Sequence, residues 1–346
     1  MNKVNRNDAK KHIEFYMENY DIRTYKLKTE NIGNADKKFI GDKSKRKCRF
    51  CGKEKGETTF KKVAHAIPEL VGNKVLISYE ECDECNKIFS KLESELANYL
   101  SFERSTTGIR GKTGIPVYKN KAGLRVEHDK EEKNRVIIQD VIDSGNIVED
   151  LSTNSFTIKG ERSPYIPISV YKCFVKMALS IMPKRYLPYF WETFDWIREE
   201  NYLLHDTPTC KIFEQFIPGP KPFVDIEMVL AIRKRESSEK SPFGIFVICL
   251  GNFSYQVYLP FAGPDYNDDV QKEIYKHVLL PSKYALVLPD DVIHINSKDF
   301  STSEKVKGQT IDITYSYTEK KVYTDSEIAQ LNWLIPSLGK NYKEGN

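Results

Sequence analysis

An α+β protein in two parts is what the 346-residue sequence predicts, and three observations carry that expectation. Helical periodicity is confined to a few segments, strand-like runs crowd the C-terminal half, and two CxxC pairs bracket a short stretch near the N-terminus. Runs of helix and runs of strand that do not alternate regularly argue for α+β rather than a doubly wound sheet.

The elements follow in order. Asn7–Tyr20 places Ile13, Phe15, Tyr16, Met17 and Tyr20 along a short helix begun by Asn7 or Asp8. Lys37–Lys47, rich in Lys, Asp, Gly and Ser, reads as a basic loop, and Thr58–Ala66 alternates loosely as a strand would. Asp83–Leu100 spaces Ile88, Phe89, Leu92, Leu96 and Tyr99 as a helix does, with Asp83 and Glu84 in its first turn to complement the dipole. Arg104–Pro116, with three glycines, reads as a loop or hairpin. Ser169–Ile181 reads as a helix stopped by Pro183, and Pro188–Tyr202 as another. Strands are expected at Val224–Arg233, Phe243–Leu250, Tyr255–Pro260, Tyr284–Leu288 and Thr310–Tyr317. Gly251-Asn252 suits a hairpin turn, and Ser254–Tyr258 alternates as a half-buried strand.

Composition excludes several classes. With 40% apolar, 29% charged and 12% aromatic residues, the chain is neither disordered nor collagen-like. Its longest apolar run, Ile245–Leu250, falls far short of the roughly 20 residues a membrane span needs. Met1–Lys11 is polar and carries no secretory-type apolar stretch, so a soluble, cytoplasmic protein with no membrane partner is expected.

Charge is uneven. Residues 1–120 hold 25 Lys and Arg against 17 Asp and Glu, whereas the remainder holds 28 against 32. A basic first third fits a polyanion partner for that part only. Lys119–Arg135, highly charged and nearly without large apolar residues, marks the expected boundary. The predicted parts are therefore 1–47, an N-terminal helix and basic loop; 48–120, a metal-binding domain; and 136–346, a larger α+β domain.

The cysteines identify the metal. Cys48 and Cys51 form one CxxC; Cys82 and Cys85 form the second. Four thiolates complete the tetrahedral set that structural zinc prefers. Gly52 lets the first knuckle turn, and the second pair opens a helix whose N–H groups stabilise thiolate charge. Cys173, Cys210 and Cys249 stand alone and read as buried apolar residues.

Between the knuckles lies Lys61-Lys62-Val63-Ala64-His65-Ala66-Ile67-Pro68-Glu69, and Asn86 follows the last cysteine. Together CRFC, AHAIPE and CDECN resemble the zinc-containing branch of the HNH endonucleases, over roughly residues 48–100. The resemblance implies a small zinc-stabilised, treble-clef-like ββα-metal unit gripping one catalytic divalent cation, magnesium or manganese, beside the scissile phosphate. It implies His65 as general base and Asn86 on the metal side. A histidine of ordinary pKa, near 6.5, is a neutral acceptor at physiological pH. Many relatives carry Asp or Glu immediately before that histidine, where this chain has Ala64. The missing oxygen ligand is then sought at Glu69 or Glu93; Glu93 lies seven residues after Asn86, close to the same helix face, whereas Glu95 is turned away.

Lys61 and Lys62 before the site, and Arg104, Arg110 and Lys112 after it, suit phosphate contacts, which position a nucleic acid without reading its sequence. The leading expectation is a metal-dependent DNA endonuclease whose residues 136–346 recognise a ligand, a protein partner or a DNA feature and restrain cutting; His128, His205, His277 and His294 show no metal or triad spacing. A homo-oligomer is compatible with this layout, which resembles bacterial anti-phage and restriction effectors. The alternative is a zinc-ribbon module that grips nucleic acid without cleaving it.

Overall fold

Helix α1 (Arg6–Asn19) starts one or two residues before the expected cap, because Asn5 caps it: its side chain accepts the Asp8 N–H at 2.8 Å. In this computed structural model the described residues are 2–3, 5–129, 135–141, 144–200, 210–266, 279–290 and 292–321. His205, His277 and the end of the predicted Pro188–Tyr202 helix lie outside them. The chain forms two compact units, one from residues 1–142 and 160–311, the other from 143–159 and 312–346. Among the described residues the fold is α+β, and no helix is long and apolar enough to cross a membrane.

The first unit is organised by a seven-stranded antiparallel sheet. Its order is Asn2–Lys3, His294–Asp299, Lys211–Phe216, Phe253–Tyr258, Gly244–Gly251, Phe223–Arg233 and Tyr20–Leu27. Strands from both sides of the charged segment 119–135 therefore share one sheet. That segment is itself partly strand: Arg125–His128 pairs with Tyr118–Lys119 and with Val136–Gln139.

The central strands, Gly244–Gly251 and Phe253–Tyr258, are buried on both faces, which corrects the half-buried reading of Ser254–Tyr258. Two helices cover them. On one face α1 sends Tyr16 into a core with Ile245, Val247, Cys249 and Tyr258. On the opposite face lies a later helix: Phe174 stacks on Tyr255 at 5.5 Å, and the Tyr171 hydroxyl donates to the Tyr258 carbonyl at 2.7 Å. The hairpin between the two strands turns at Gly251 (φ +59°), as expected.

Helix α2 (Asp83–Tyr99) matches its predicted span and buries Cys85, Phe89, Leu92, Leu96 and Tyr99. Short α3 (Ser101–Thr106) takes the start of the expected Arg104–Pro116 loop. Helix α4 (Pro167–Ile181), the one behind Phe174, packs against α2 on its other side, so all of its residues are buried. A 3₁₀ turn over Lys184–Phe190, with Pro188 inside it, precedes α5 (Trp191–Arg198). The layers run α1, large sheet, α4, α2.

A second sheet positions the site. Ala64–His65 pairs antiparallel with Leu76–Ser78, which pairs in parallel with Lys38–Ile40. Lys38–Ile40 lies inside the expected basic loop. The strand expected over Thr58–Ala66 shrinks to Ala64–His65, because the Lys61 and Lys62 N–H groups donate to the Asp83 carboxylate instead of a ladder (3.0 and 2.9 Å). Tyr284–Leu288 is not a strand either: Ser282 accepts the Tyr284 N–H and starts a 3₁₀ turn over Lys283–Leu286. The remaining strand expectations stand.

The second unit contains a three-stranded sheet in the order Thr310–Ser316, Ser155–Glu161, Ile147–Asp150. Phe156 stacks on Tyr315 across it, with ring centroids 5.5 Å apart.

Candidate metal centre and candidate active site

The first knuckle closes when the Gly52 N–H donates to the Cys48 carbonyl at 2.9 Å, with Gly52 at φ +73°. The second opens α2, where the Cys82 sulfur caps the helix by accepting the Cys85 N–H at 3.5 Å. These two turns bring the sulfurs of Cys48, Cys51, Cys82 and Cys85 within 4.8 Å of one another, all as free thiols. Tetrahedral zinc with Zn–S bonds of about 2.3 Å sets its sulfurs about 3.8 Å apart. Cys51 and Cys82 are 3.7 Å apart, so the donor set and its spacing fit the ion. A hydrogen bond from Cys85 pulls the Cys48 thiol down to about 5, and Cys85 is pushed up in return. The other three cysteines are buried as expected; burial pushes Cys249 up to about 12.

The knuckle is tied to the scaffold. Phe50 packs edge-on against Phe89 of α2 at 4.6 Å and against Phe194 of α5 at 5.8 Å. Arg49 forks onto Glu80 (2.9 and 2.6 Å) and donates to the carbonyls of Leu179 and Met182 at the end of α4.

His65 stands on the short strand, its side chain one-fifth exposed, with Nδ1 4.0 Å from a Glu69 carboxylate oxygen. Burial holds its pKa below the usual value; Glu69 opposes this, and the charges of Lys176 and Lys112 add to it. The neutral imidazole is therefore favoured at pH 7. The loop behind it is fixed by Asn73, buried at 0% exposure. Its amide donates to the carbonyls of Ile67 (2.6 Å) and Leu76 (3.0 Å), and its oxygen accepts the N–H groups of Val75 (3.0 Å) and Leu76 (2.8 Å). Every strong hydrogen-bonding capacity of that side chain is used.

Beneath His65 lies a group that the sequence reading missed. The Lys176 ammonium, on α4, donates to the His65 carbonyl at 2.9 Å and pairs with Glu81 at 3.1 Å and Glu93 at 3.9 Å. Lys176 and Glu81 are almost fully buried. Burial pushes Glu81 up to about 6 against the pull of Lys176, and it raises Glu93 as well. Burial works to lower Lys176, but its two carboxylates outweigh that and raise it. The signal was present: Lys172 and Lys176 sit at i and i+4 in an otherwise uncharged helix.

The candidate oxygen ligands fall out unequally. Asn86, half-buried on the first turns of α2, makes no side-chain hydrogen bond among the described residues. Glu69 faces His65, whereas Glu93 is shared with Lys176. Among the described His, Cys, Asp and Glu side chains, the four cysteines are the only group of three or more gathered closely enough to hold a metal ion. Of the basic residues, Lys112 is exposed near enough for its charge to act on His65, and Lys61 and Lys62 are exposed at the N-terminus of α2. Arg110 is half-buried, its charge acting on His128 instead. Arg104 is half-buried beneath the Gly111 turn, where a Cβ would lie 2.6 Å from its guanidinium.

No curated protein and no solved structure matches the chain. A family model does: residues 48–101, which carry the four cysteines, His65 and Asn86, match the HNH endonuclease family.

Proposed function

We propose that the protein is a metal-dependent endonuclease that hydrolyses DNA phosphodiester bonds at His65. The observation that carries this reading is His65 itself: a half-buried, neutral-favoured imidazole on the strand of a ββα unit, in the segment that matches the HNH family and that also holds the four-cysteine cluster. The neutral ring accepts a proton from the attacking water, and the Glu69 carboxylate stabilises the imidazolium so formed. Lys176 holds the His65 carbonyl and so anchors the strand that carries the ring. The structural ion is zinc, on Cys48, Cys51, Cys82 and Cys85. Asn86 and Glu69 have oxygen atoms available for a catalytic magnesium or manganese ion, which when bound supplies charge stabilisation to the phosphate. Glu93 is the weaker ligand candidate because it already faces Lys176, 3.9 Å away. Lys61, Lys62 and Lys112 supply phosphate contacts.

In this reading residues 48–120 cut, residues 1–47 add α1, strands of the large sheet and a strand of the sheet that carries His65, and residues 136–346 sense or target, as a bacterial anti-phage or restriction effector requires. Cleavage by the zinc-loaded full chain should be tested on supercoiled, linear, modified and single-stranded DNA and on RNA, with magnesium or with none. Magnesium-dependent cuts in DNA support the proposal; intact DNA under every condition, with or without cell extract, contradicts it. The non-cleaving zinc-ribbon alternative is favoured by one observation: Ala64 offers no carboxylate beside His65.

A further inference from the structure

The segment that follows the first knuckle lines a cavity of about 710 Å³, within the roughly 300–1,000 Å³ of small-molecule sites. Lys43, Arg46, Lys55 and Lys61 line it, together with Thr58 and Phe60. Two carboxylates also line it, and both are engaged: Glu84 pairs with Lys53 at 2.9 Å, and Glu57 accepts the Glu54 N–H at 2.8 Å. Lys43, Lys55 and Lys61 are exposed and have no carboxylate at ion-pair distance among the described residues. The Thr58 hydroxyl, on a residue only 8% exposed, has no hydrogen-bond partner.

Flat groups continue from the cavity wall. The Arg46 guanidinium lies 6.0 Å from the Phe60 ring centroid and 5.1 Å from that of Tyr79. Tyr79 in turn stacks on Phe39, with centroids 5.0 Å apart and planes 6° from parallel. Phe39 is 49% exposed, a large apolar ring held in water. Arg46 is pinned by its hydrogen bond to the Phe60 carbonyl.

We infer that this cavity binds an unpaired nucleotide of a nucleic-acid strand, its base stacked on Arg46 and Phe60 and its phosphates held by Lys43, Lys55 and Lys61. Cationic side chains interleaved with exposed aromatic faces are the physical requirement for single-strand binding. A duplex keeps its base faces inside its own stack and has no use for these rings. A bare phosphate site would need the lysines but not Phe60 in its wall. Lys61 precedes His65 by four residues, so the cavity rim lies at most about 14 Å along the chain from the general base. A strand seated here therefore runs close to the cutting site and favours DNA with an unpaired segment. The inference rests on the nucleic-acid reading above.

The test uses the zinc-loaded full chain without magnesium, so that nothing turns over, and follows anisotropy of three labelled DNAs: a short single strand, its duplex, and an abasic strand with the same phosphates. Wild type should bind the base-bearing strand roughly 5- to 150-fold more tightly than the abasic one, the range expected of one stacked base. Phe60→Leu should shrink that difference and leave abasic binding unchanged. Lys43→Gln with Lys55→Gln should weaken both single strands and lower the slope of log affinity against log salt by about 1.4, two phosphate contacts' worth. Equal binding of base-bearing and abasic strands by wild type, or wild-type affinity and salt slope in the double variant, overturns the inference. Zinc content and melting temperature confirm that each variant is folded. Cleavage is scored separately with magnesium, so a chain that discriminates bases but never cuts refutes the endonuclease and leaves the cavity standing.

Discussion

The ammonium of Lys176 donates to the carbonyl of His65 across 2.9 Å, joining residues 111 positions apart in the chain. A buried cation on the helix behind the site thus holds the strand that presents the candidate base. Two carboxylates, Glu81 and Glu93, hold that cation in turn.

Removing Lys176 should therefore be costly. Breaking a buried pair by deleting one partner leaves the other charge uncompensated, at about 3–5 kcal/mol. Lys176→Met is expected to lose about that much in urea unfolding. Adding Glu81→Gln should return a large part of it. Equal losses in the single and double variants would show that the Lys176–Glu81 pairing is not what stabilises this layer.

The four cysteines should couple metal binding to local folding, since the unit around them has little core of its own. Zinc-finger peptides gain about 10–16 kcal/mol of apparent binding energy in this way. One zinc per chain is expected by elemental analysis. Cys82→Ser should lose it and release the amide protection of residues 48–101 in hydrogen exchange. Full protection after zinc loss would count against a structural role.

Asn73 makes four hydrogen bonds within one buried turn. Each partner stranded by its loss costs about 1–3 kcal/mol, so Asn73→Ala is expected to cost about 3 kcal/mol or more. Asn73→Asp should not rescue, because its carboxylate would face the carbonyls of Ile67 and Leu76. A measured change below about 1 kcal/mol for Asn73→Ala would contradict this account of the turn.

Much of this was legible in the sequence, and the reasons for the remainder are physical. The CxxC spacing located the metal centre because sulfur ligands are chemically explicit, and α2 announced itself through Phe89, Leu92 and Leu96. Tyr20–Leu27 did not announce its place, because its partner, Phe223–Arg233, lies about two hundred residues away and pairing leaves no local signature. Thr58–Lys62 alternated like a strand, yet the Asp83 carboxylate took its N–H groups. Lys176 and Asn73 were overlooked for one reason: each acts through backbone carbonyls or buried partners that only tertiary packing supplies.

The candidate ligands of the catalytic ion should separate in a metal titration. Glu69→Gln is expected to raise the magnesium concentration for half-maximal cleavage, with manganese restoring part of the activity. Glu93→Gln should shift it less, since Glu93 is shared with Lys176. Ala64→Asp should lower it by adding an oxygen ligand. Unshifted curves for both glutamine variants would remove both residues from the ligand set.

The most direct measurement is the rate at which the full chain nicks supercoiled plasmid, compared between wild type and His65→Ala at equal zinc content. The wild-type rate should rise with pH through a value below 6.5, because burial lowers the His65 pKa and only the neutral ring accepts the proton. His65→Ala should lose about 10²- to 10⁴-fold in rate while keeping its zinc and its melting temperature. Wild-type cutting by His65→Ala, or a rate indifferent to pH across that range, would contradict the assignment of His65 as the base.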